Sequence, residues 1–133
     1  MNPTGDRAAV EALLPHRDPF LFVDGFERTG DDRLAATWTV PADADWFRGH
    51  YPGAPVLPGV LITEHGLQAA AVLVALVLGG FDAADGVPVV TRLSDVRFRR
   101  LVAPGETLET DVRLVARTGP AFELAARVRA GGA

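Results

Sequence analysis

Uniformly apolar and alternating stretches of the sequence predict two helices and several strands. A first helix is expected over residues 7 to 14, because Asp6 can cap its first turn and Pro15 follows its last residue. A second helix, Gly59 to Leu78, is apolar on every face beyond its first two turns, which predicts burial on all sides. Its unbroken apolar run is about half of the roughly 20 residues that cross a bilayer, so we expect a core helix and no membrane span.

Shorter segments with β-branched and aromatic residues, separated by turn residues, predict the strands. The clearest alternation places Leu108, Thr110, Val112 and Leu114 on one face of a strand. The region from residue 41 to 58 contains four prolines and two glycines and is expected to be an irregular loop. The predicted strands are Phe20 to Arg28, Arg33 to Val40, Val87 to Arg99, Thr107 to Arg117 and Phe122 to Arg129.

This order of elements predicts an α+β fold in a single domain over residues 1–133. The short connections after the long helix favour a mostly antiparallel sheet. We expect a curved sheet of five to six strands wrapped around one long central helix.

The composition excludes several kinds of chemistry. The chain has no cysteine and no lysine, so thiol nucleophiles, thiolate zinc sites and Schiff bases are ruled out. Its one serine, Ser94, does not lie in a nucleophile elbow. The net charge of −4 does not favour nucleic-acid binding. The first residues lack the pattern of a secretory signal, so a cytoplasmic location is expected by default.

One segment combines a proline-rich loop with polar residues at the start of the long helix. It reads Gly49-His50-Tyr51-Pro52, then Pro55, then Pro58-Gly59, and continues into the helix with Leu61, Glu64 and Gln68. These residues resemble the loop and helix signature of the 3-hydroxyacyl-acyl-carrier-protein dehydratases of fatty acid synthesis, which have the hotdog fold.

Two flanking segments match that family as well. Residues 14–24 resemble its early Pro-His-Arg segment, and residues 96–106 resemble its strand and Pro-Gly-Glu turn. Asp18, Tyr51 and His65 depart from the residues common in the family at those positions. The resemblance covers roughly residues 13 to 129.

The reaction that the resemblance implies is the loss of water from a 3-hydroxyacyl thioester, which needs a base and an acid. His50 is the expected base, since imidazole titrates near neutrality. Glu64 is the expected acid, provided that an apolar pocket keeps it protonated against the helix dipole. The N–H of Gly59 is expected to stabilise charge on the thioester oxygen. Expected substrate-binding neighbours are Pro58, Val60, Tyr51 and Gln68; Gln68 shares a helix face with Glu64.

Partners follow from the same resemblance. The arginines Arg97, Arg99 and Arg100 are expected to dock an acidic acyl carrier protein, although a solvated strand edge would have the same composition. Family members pair through their sheets, so we expect a homodimer or a trimer of dimers, with the histidine and the glutamate of each site on different subunits. Neither a metal nor another cofactor is expected.

Other interpretations stay open at this stage. Glu64 could form a structural salt bridge, His16 could fix the loop, and His65 could have a structural or interface role. The chain could also be another hotdog protein, such as a thioesterase or a CoA-dependent enoyl hydratase, or a non-catalytic acyl-binding or partner protein.

Overall fold

The computed structural model describes residues 3–81 and 88–131, and within these ranges it contains two α-helices and five strands. The strands form one antiparallel sheet in sequence order, from β1 to β5. A turn of 3₁₀ helix, Asp45–Arg48, lies in the loop before α2. The elements are β1 (Thr4–Gly5), α1 (Arg7–Leu13), β2 (Gly25–Gly30), β3 (Arg33–Thr39), α2 (Gly59–Leu78), β4 (Thr107–Thr118) and β5 (Ala121–Ala130).

The long helix α2 has the predicted bounds and ends at Gly79, whose left-handed backbone (φ of 76°) caps it. The helix lies against β3, β4 and β5. The predicted alternation is confirmed at Leu108, Thr110 and Val112, which are buried on the face of β4 towards the core. Breaks of register between β2 and β3 and between β4 and β5 help the sheet to curve.

Buried apolar side chains from the helix and the sheet form the core. Ala69, Val72 and Leu73 of α2 pack with buried residues of α1, β2, β3 and β4. By length and composition alone α2 could span a membrane, but these buried residues identify it as the core helix of the domain. A second cluster surrounds Trp38 near the start of the helix.

The predicted strand Phe20 to Arg28 is correct only in its second half, since β2 begins at Gly25. The backbone of Phe22 bonds to side chains of α2 and not to a neighbouring strand: its N–H donates to Gln68 Oε1 (2.7 Å) and its carbonyl accepts from His65 Nδ1 (2.6 Å). A side-chain contact of this kind has no periodic signal. The very short strand β1 was not predicted.

The predicted strand Val87 to Arg99 is wrong for its described part; Val87 itself lies outside the described residues. Pro88 has no N–H to donate, and Asp95 has a positive φ of 54° that interrupts an extended chain. Among the described residues, no strand of this chain pairs with the segment. The segment exposes Val89, Val90, Leu93, Val96, Phe98 and Leu101. So many exposed apolar side chains in one segment are typical of an interaction surface.

His65 connects α2 to two neighbouring parts of the fold, the segment before β2 and strand β4. Its side chain is fully buried and stacks on Trp38 with ring centroids 5.8 Å apart. Because a carbonyl can only accept, Nδ1 donates to Phe22 and Nε2 accepts from the hydroxyl of Thr110. Burial lowers the pKa of His65, since a charged imidazole would be poorly solvated there. His65 therefore has a structural role.

This burial predicts acid-sensitive stability. Below about pH 6.5 an exposed histidine of the unfolded chain takes up a proton that folded His65 resists. The free energy of unfolding should therefore fall with decreasing pH, by up to about 1.4 kcal/mol per pH unit from this one group. In His65→Gln, which keeps a donor and an acceptor, urea unfolding at pH 5 to 8 should show a flatter dependence. Parallel curves for both proteins would contradict the prediction, because His16 and His50 are common to both.

Candidate active site

His50 lies in the loop between the 3₁₀ turn and α2, and one hydrogen bond fixes its ring. Nδ1 is 2.8 Å from the carbonyl oxygen of Val56, which can only accept, so Nδ1 carries the proton. The lone pair of the neutral ring is therefore on Nε2. The ring of Tyr51 meets the imidazole edge to face at 4.8 Å, and its backbone has a positive φ of 55°. The arrangement leaves Nε2 as the basic atom of the loop.

A cleft of about 500 Å³ opens beside His50. It is bordered by Trp46 and Gly49 of the loop and by Pro58, the residue that precedes α2. The indole Nε1 of Trp46 is buried and has no hydrogen-bond partner in the described chain. It was not identified from the sequence, where a tryptophan in a loop gives no sign of an unpaired donor.

The start of α2 lies at the same cleft and offers free backbone donors. The first N–H groups of a helix, here those of Gly59 and Val60, have no carbonyl one turn before them. Val60 is highly exposed, with 74% of its surface accessible, and so is Tyr51 at 67%. A Cβ on Gly59 would lie 3.2 Å from the ring of Phe98, so glycine lets this ring pack close to the helix start.

Glu64 and Gln68 lie one turn apart on α2, as predicted, and Gln68 fixes the geometry of the carboxyl group. Since Gln68 Oε1 accepts from Phe22 N–H, its Nε2 must be the donor to Glu64 Oε2 (2.9 Å) and to the Phe20 carbonyl (3.2 Å). In a neutral carboxyl group the carbonyl oxygen is the stronger acceptor, so the bond from Gln68 favours Oε2 as the carbonyl oxygen. A protonated Glu64 would therefore carry its proton on Oε1.

His16 comes near Glu64, whereas His50 does not. His16 Nε2 lies 4.0 Å from Glu64 Oε2, and no direct contact joins His50 to Glu64 within the described residues. The sequence placed His16 in a loop but gave no indication of this neighbour. Within one chain, the predicted base and the predicted acid are thus separate.

A second cleft, of about 570 Å³, lies mainly between residues 18–22 and residues 41–46, with Leu61 from the first turn of α2 at one side. Its walls include Phe20, Phe22, Trp46 and Leu61, and Leu61 is one turn before Glu64. The rings of Phe20 and Phe22 are 4.8 Å apart, and those of Phe22 and Trp46 are 5.8 Å apart. These walls suit an apolar group.

The three arginines predicted to dock a partner differ in their surroundings. Arg100 is bound to Glu106, with Nη2 2.7 Å from Oε1. The N–H of Ala103 and the Arg100 guanidinium lower the pKa of Glu106. Arg97 and Arg99 are exposed and make no ion pair with the described residues.

The described ranges, 3–81 and 88–131, contain no group of three His, Asp or Glu side chains that could hold a metal ion. The residues predicted for the site lie in three places, which are the His50 loop, the start of α2 and the Glu64–Gln68 pair.

Comparison with known proteins gives a matching family model, several related enzymes and a similar solved structure. A model of the ApeI dehydratase family, ApeI-like, matches residues 27–131. The enzyme named 3-hydroxyacyl-[acyl-carrier-protein] dehydratase FabZ from Anaeromyxobacter dehalogenans is 38% identical over 128 residues, which cover 96% of this chain and 82% of the relative. FabZ from Syntrophobacter fumaroxidans is 36% identical over 122 residues, with 91% and 81% coverage. The solved dehydratase heterocomplex ApeI:P from Xenorhabdus doucetiae has a TM-score of 0.69 at 20% identity, covering 92% of this chain and 82% of that one.

The antiparallel sheet around one long helix is the hotdog fold, as expected, and matches that of the solved dehydratase. The chain belongs to the family of the ApeI-like and FabZ-type 3-hydroxyacyl-[acyl-carrier-protein] dehydratases. It is an enzyme, a dehydratase of this family.

The Gln68 network predicts a measurable loss of stability. Gln68→Leu removes the partner of the buried Phe22 N–H, so the free energy of unfolding should fall by about 2 kcal/mol, within the range for an unpaired buried group. Thr63→Val is the matched control, because it removes only a second bond to the Gly59 carbonyl on the same helix. Urea unfolding measures both. Equal, small losses of stability in the two variants would contradict the role of Gln68 in anchoring Phe22 to α2.

Proposed function

We propose that this chain removes water from (3R)-3-hydroxyacyl thioesters carried on an acyl carrier protein and forms trans-2-enoyl thioesters, in fatty acid or polyketide-type biosynthesis. The observation that carries the proposal is the hydrogen bond from His50 Nδ1 to the Val56 carbonyl, which leaves Nε2 as a base. The names of the related enzymes support the carrier-bound substrate. Products distinguish the alternatives: a free acid would indicate a thioesterase, and an enoyl thioester indicates dehydration.

The reaction needs one proton removed and one supplied. His50 Nε2 takes the proton from C2, and the electrons of that C–H bond form the C2–C3 double bond. The C3–O bond breaks, and the leaving hydroxyl receives the Glu64 proton and departs as water. Gln68 holds Oε2, so the donated proton comes from Oε1. Solvent then takes the proton from His50 and restores the one on Glu64.

Negative charge that develops on the thioester oxygen is stabilised by the start of α2. The N–H groups of Gly59 and Val60 and the positive end of the helix dipole are suited to this role. Pro58 and Tyr51 border the approach to these donors. The aromatic cleft at Phe20 and Trp46 is suited to the acyl chain.

Glu64 has to be protonated to act as the acid, and the helix dipole works against this. Its side chain is 24% exposed within one chain. Removal of this remaining water by substrate and by a second subunit favours the neutral carboxyl group.

We further propose a homodimer, or a trimer of dimers, with each site built from two subunits. His50 and Glu64 do not meet within one chain, and residues 89–101 expose a run of apolar side chains that a second copy would cover. The base would then come from one protomer and the acid from its partner. We expect this assembly in the cytoplasm; the packing of α2 in the core gives no reason for a membrane, and the net charge of −4 does not favour nucleic acid.

Single substitutions test the base and the acid. His50→Ala and Glu64→Gln should each lower kcat by about 10²- to 10⁴-fold, the usual contribution of a general acid or base. Turnover is followed as enoyl thioester by mass spectrometry. Wild-type turnover in both variants would refute the assignment.

Mixing these two inactive variants tests the shared site. If the subunits exchange, half of the dimers are mixed and each has one intact site, so activity should return to about a quarter of wild type. Light scattering should give at least twice the chain mass of 14.1 kDa. An active monomer, or no recovery despite exchange, would refute the two-subunit site.

Arg97 and Arg99 are the proposed docking residues for the carrier protein, whereas Arg100 is engaged by Glu106. The double variant Arg97→Glu/Arg99→Glu should raise KM for carrier-bound substrate several-fold and leave the turnover of a small thioester mimic unchanged. Arg113→Glu/Arg127→Glu, an equal charge change at two exposed arginines of β4 and β5, is the control. Equal effects on both substrates would exclude a docking role.

A further inference from the structure

His16 is the one imidazole that neither the proposed chemistry nor the core uses. Its Nε2 lies 4.0 Å from Glu64 Oε2, and its side chain is 30% exposed. Its Nδ1 is buried and has no hydrogen-bond partner among the described residues. The ring thus turns one nitrogen towards the carboxyl group and leaves the other unpaired.

The unpaired nitrogen indicates which tautomer the ring adopts. A buried N–H without an acceptor is costly, and more so on a charged ring. Nδ1 therefore carries the lone pair, and the proton is on Nε2, the atom nearer to Glu64. His16 presents an N–H donor to the same oxygen, Oε2, that accepts from Gln68.

Hydrogen bonds from Arg17 and from Gln68 fix the segment that carries His16. The guanidinium of Arg17 donates to the carbonyls of Leu14 (2.9 Å) and His16 (2.6 Å). A few residues later the Phe20 carbonyl accepts from Gln68. The segment that carries His16 is therefore held by bonds within the segment at Arg17 and by a bond to α2 at Phe20.

We propose that His16 is a positioning residue for Glu64, which rests on the proposed role of Glu64 as the acid. Two donors on Oε2, from Gln68 and from His16, keep the acidic proton on Oε1, where it can reach the leaving hydroxyl. At 4.0 Å the two atoms are not hydrogen-bonded in the free chain, so the proposal requires this separation to shorten when substrate completes the site, as catalytic hydrogen bonds commonly do. No proton is transferred to or from His16.

Two substitutions separate this role from simple packing. In His16→Gln an amide nitrogen can take the place of Nε2, whereas in His16→Asn the shorter side chain reaches only the place of Nδ1. The Asn variant should lose about tenfold in kcat with an unchanged KM, and the Gln variant should stay within about threefold of wild type. Glu11→Gln is the control, since it removes only the ion pair of Arg17 in the same region. Equal losses in the Asn and Gln variants would overturn the proposal.

A second substrate identifies the step that is affected. Fluoride leaves without protonation, so a 3-fluoroacyl thioester needs the base but not the acid. His16→Asn and Glu64→Gln should both slow the 3-hydroxyacyl substrate much more than the fluoro substrate. The ratio of the two turnover rates does not depend on how much protein is folded, so reduced stability cannot produce this result.

The outcomes distinguish this proposal from the proposed function. If Glu64→Gln shows the selective loss and His16→Asn does not, His16 has no positioning role and the acid assignment stands. If Glu64→Gln slows both substrates equally, Glu64 is not the acid, and both proposals fail. Where both are correct, His16→Asn should add no further loss in the Glu64→Gln background, because it acts through that carboxyl group.

Discussion

The backbone of Phe22 is the point on which the rest of this structure depends. Its N–H and its carbonyl are both bound by side chains of α2, the former by Gln68 and the latter by His65. These bonds fix how far α2 is rotated and shifted against the segment before β2. Buried polar groups of this kind must be fully paired or they cost stability, and here both pairs are complete. A purely apolar contact would hold the helix less specifically.

The same bonds determine how Gln68 is oriented towards the carboxyl group of Glu64. Because the Gln68 oxygen is taken by Phe22, its amide nitrogen has to face Glu64. The packing of the core thereby sets which carboxyl oxygen is available to a ligand. His65 extends this link to β4 through Thr110, which explains a threonine among the apolar inward positions of that strand. Fold and candidate site share one hydrogen-bond network.

The parts that could be predicted from the sequence are those with a local signal. The bounds of α2 follow from Pro58, Gly79 and an unbroken apolar run, and the alternation of β4 is periodic. The segment at Phe22 reads as a strand, but its partners are side chains 43 and 46 residues away in sequence. The approach of His16 to Glu64 is equally non-local. Spacing indicated residues with suitable chemistry, but only the fold determines which of them meet.

The segment from residue 88 to 103 connects the proposed subunit interface to the start of α2. The carbonyl of Val102 accepts from Leu57 N–H at 2.7 Å and so anchors the loop just before α2. Phe98 packs against Gly59, while its neighbours Arg97 and Arg99 face solvent. A second molecule that covers the apolar residues of this segment would therefore also press on the backbone donors of α2. In the proposed dimer, binding a subunit and shaping the candidate site would be one event, because this segment contacts the helix start through Phe98 and Val102.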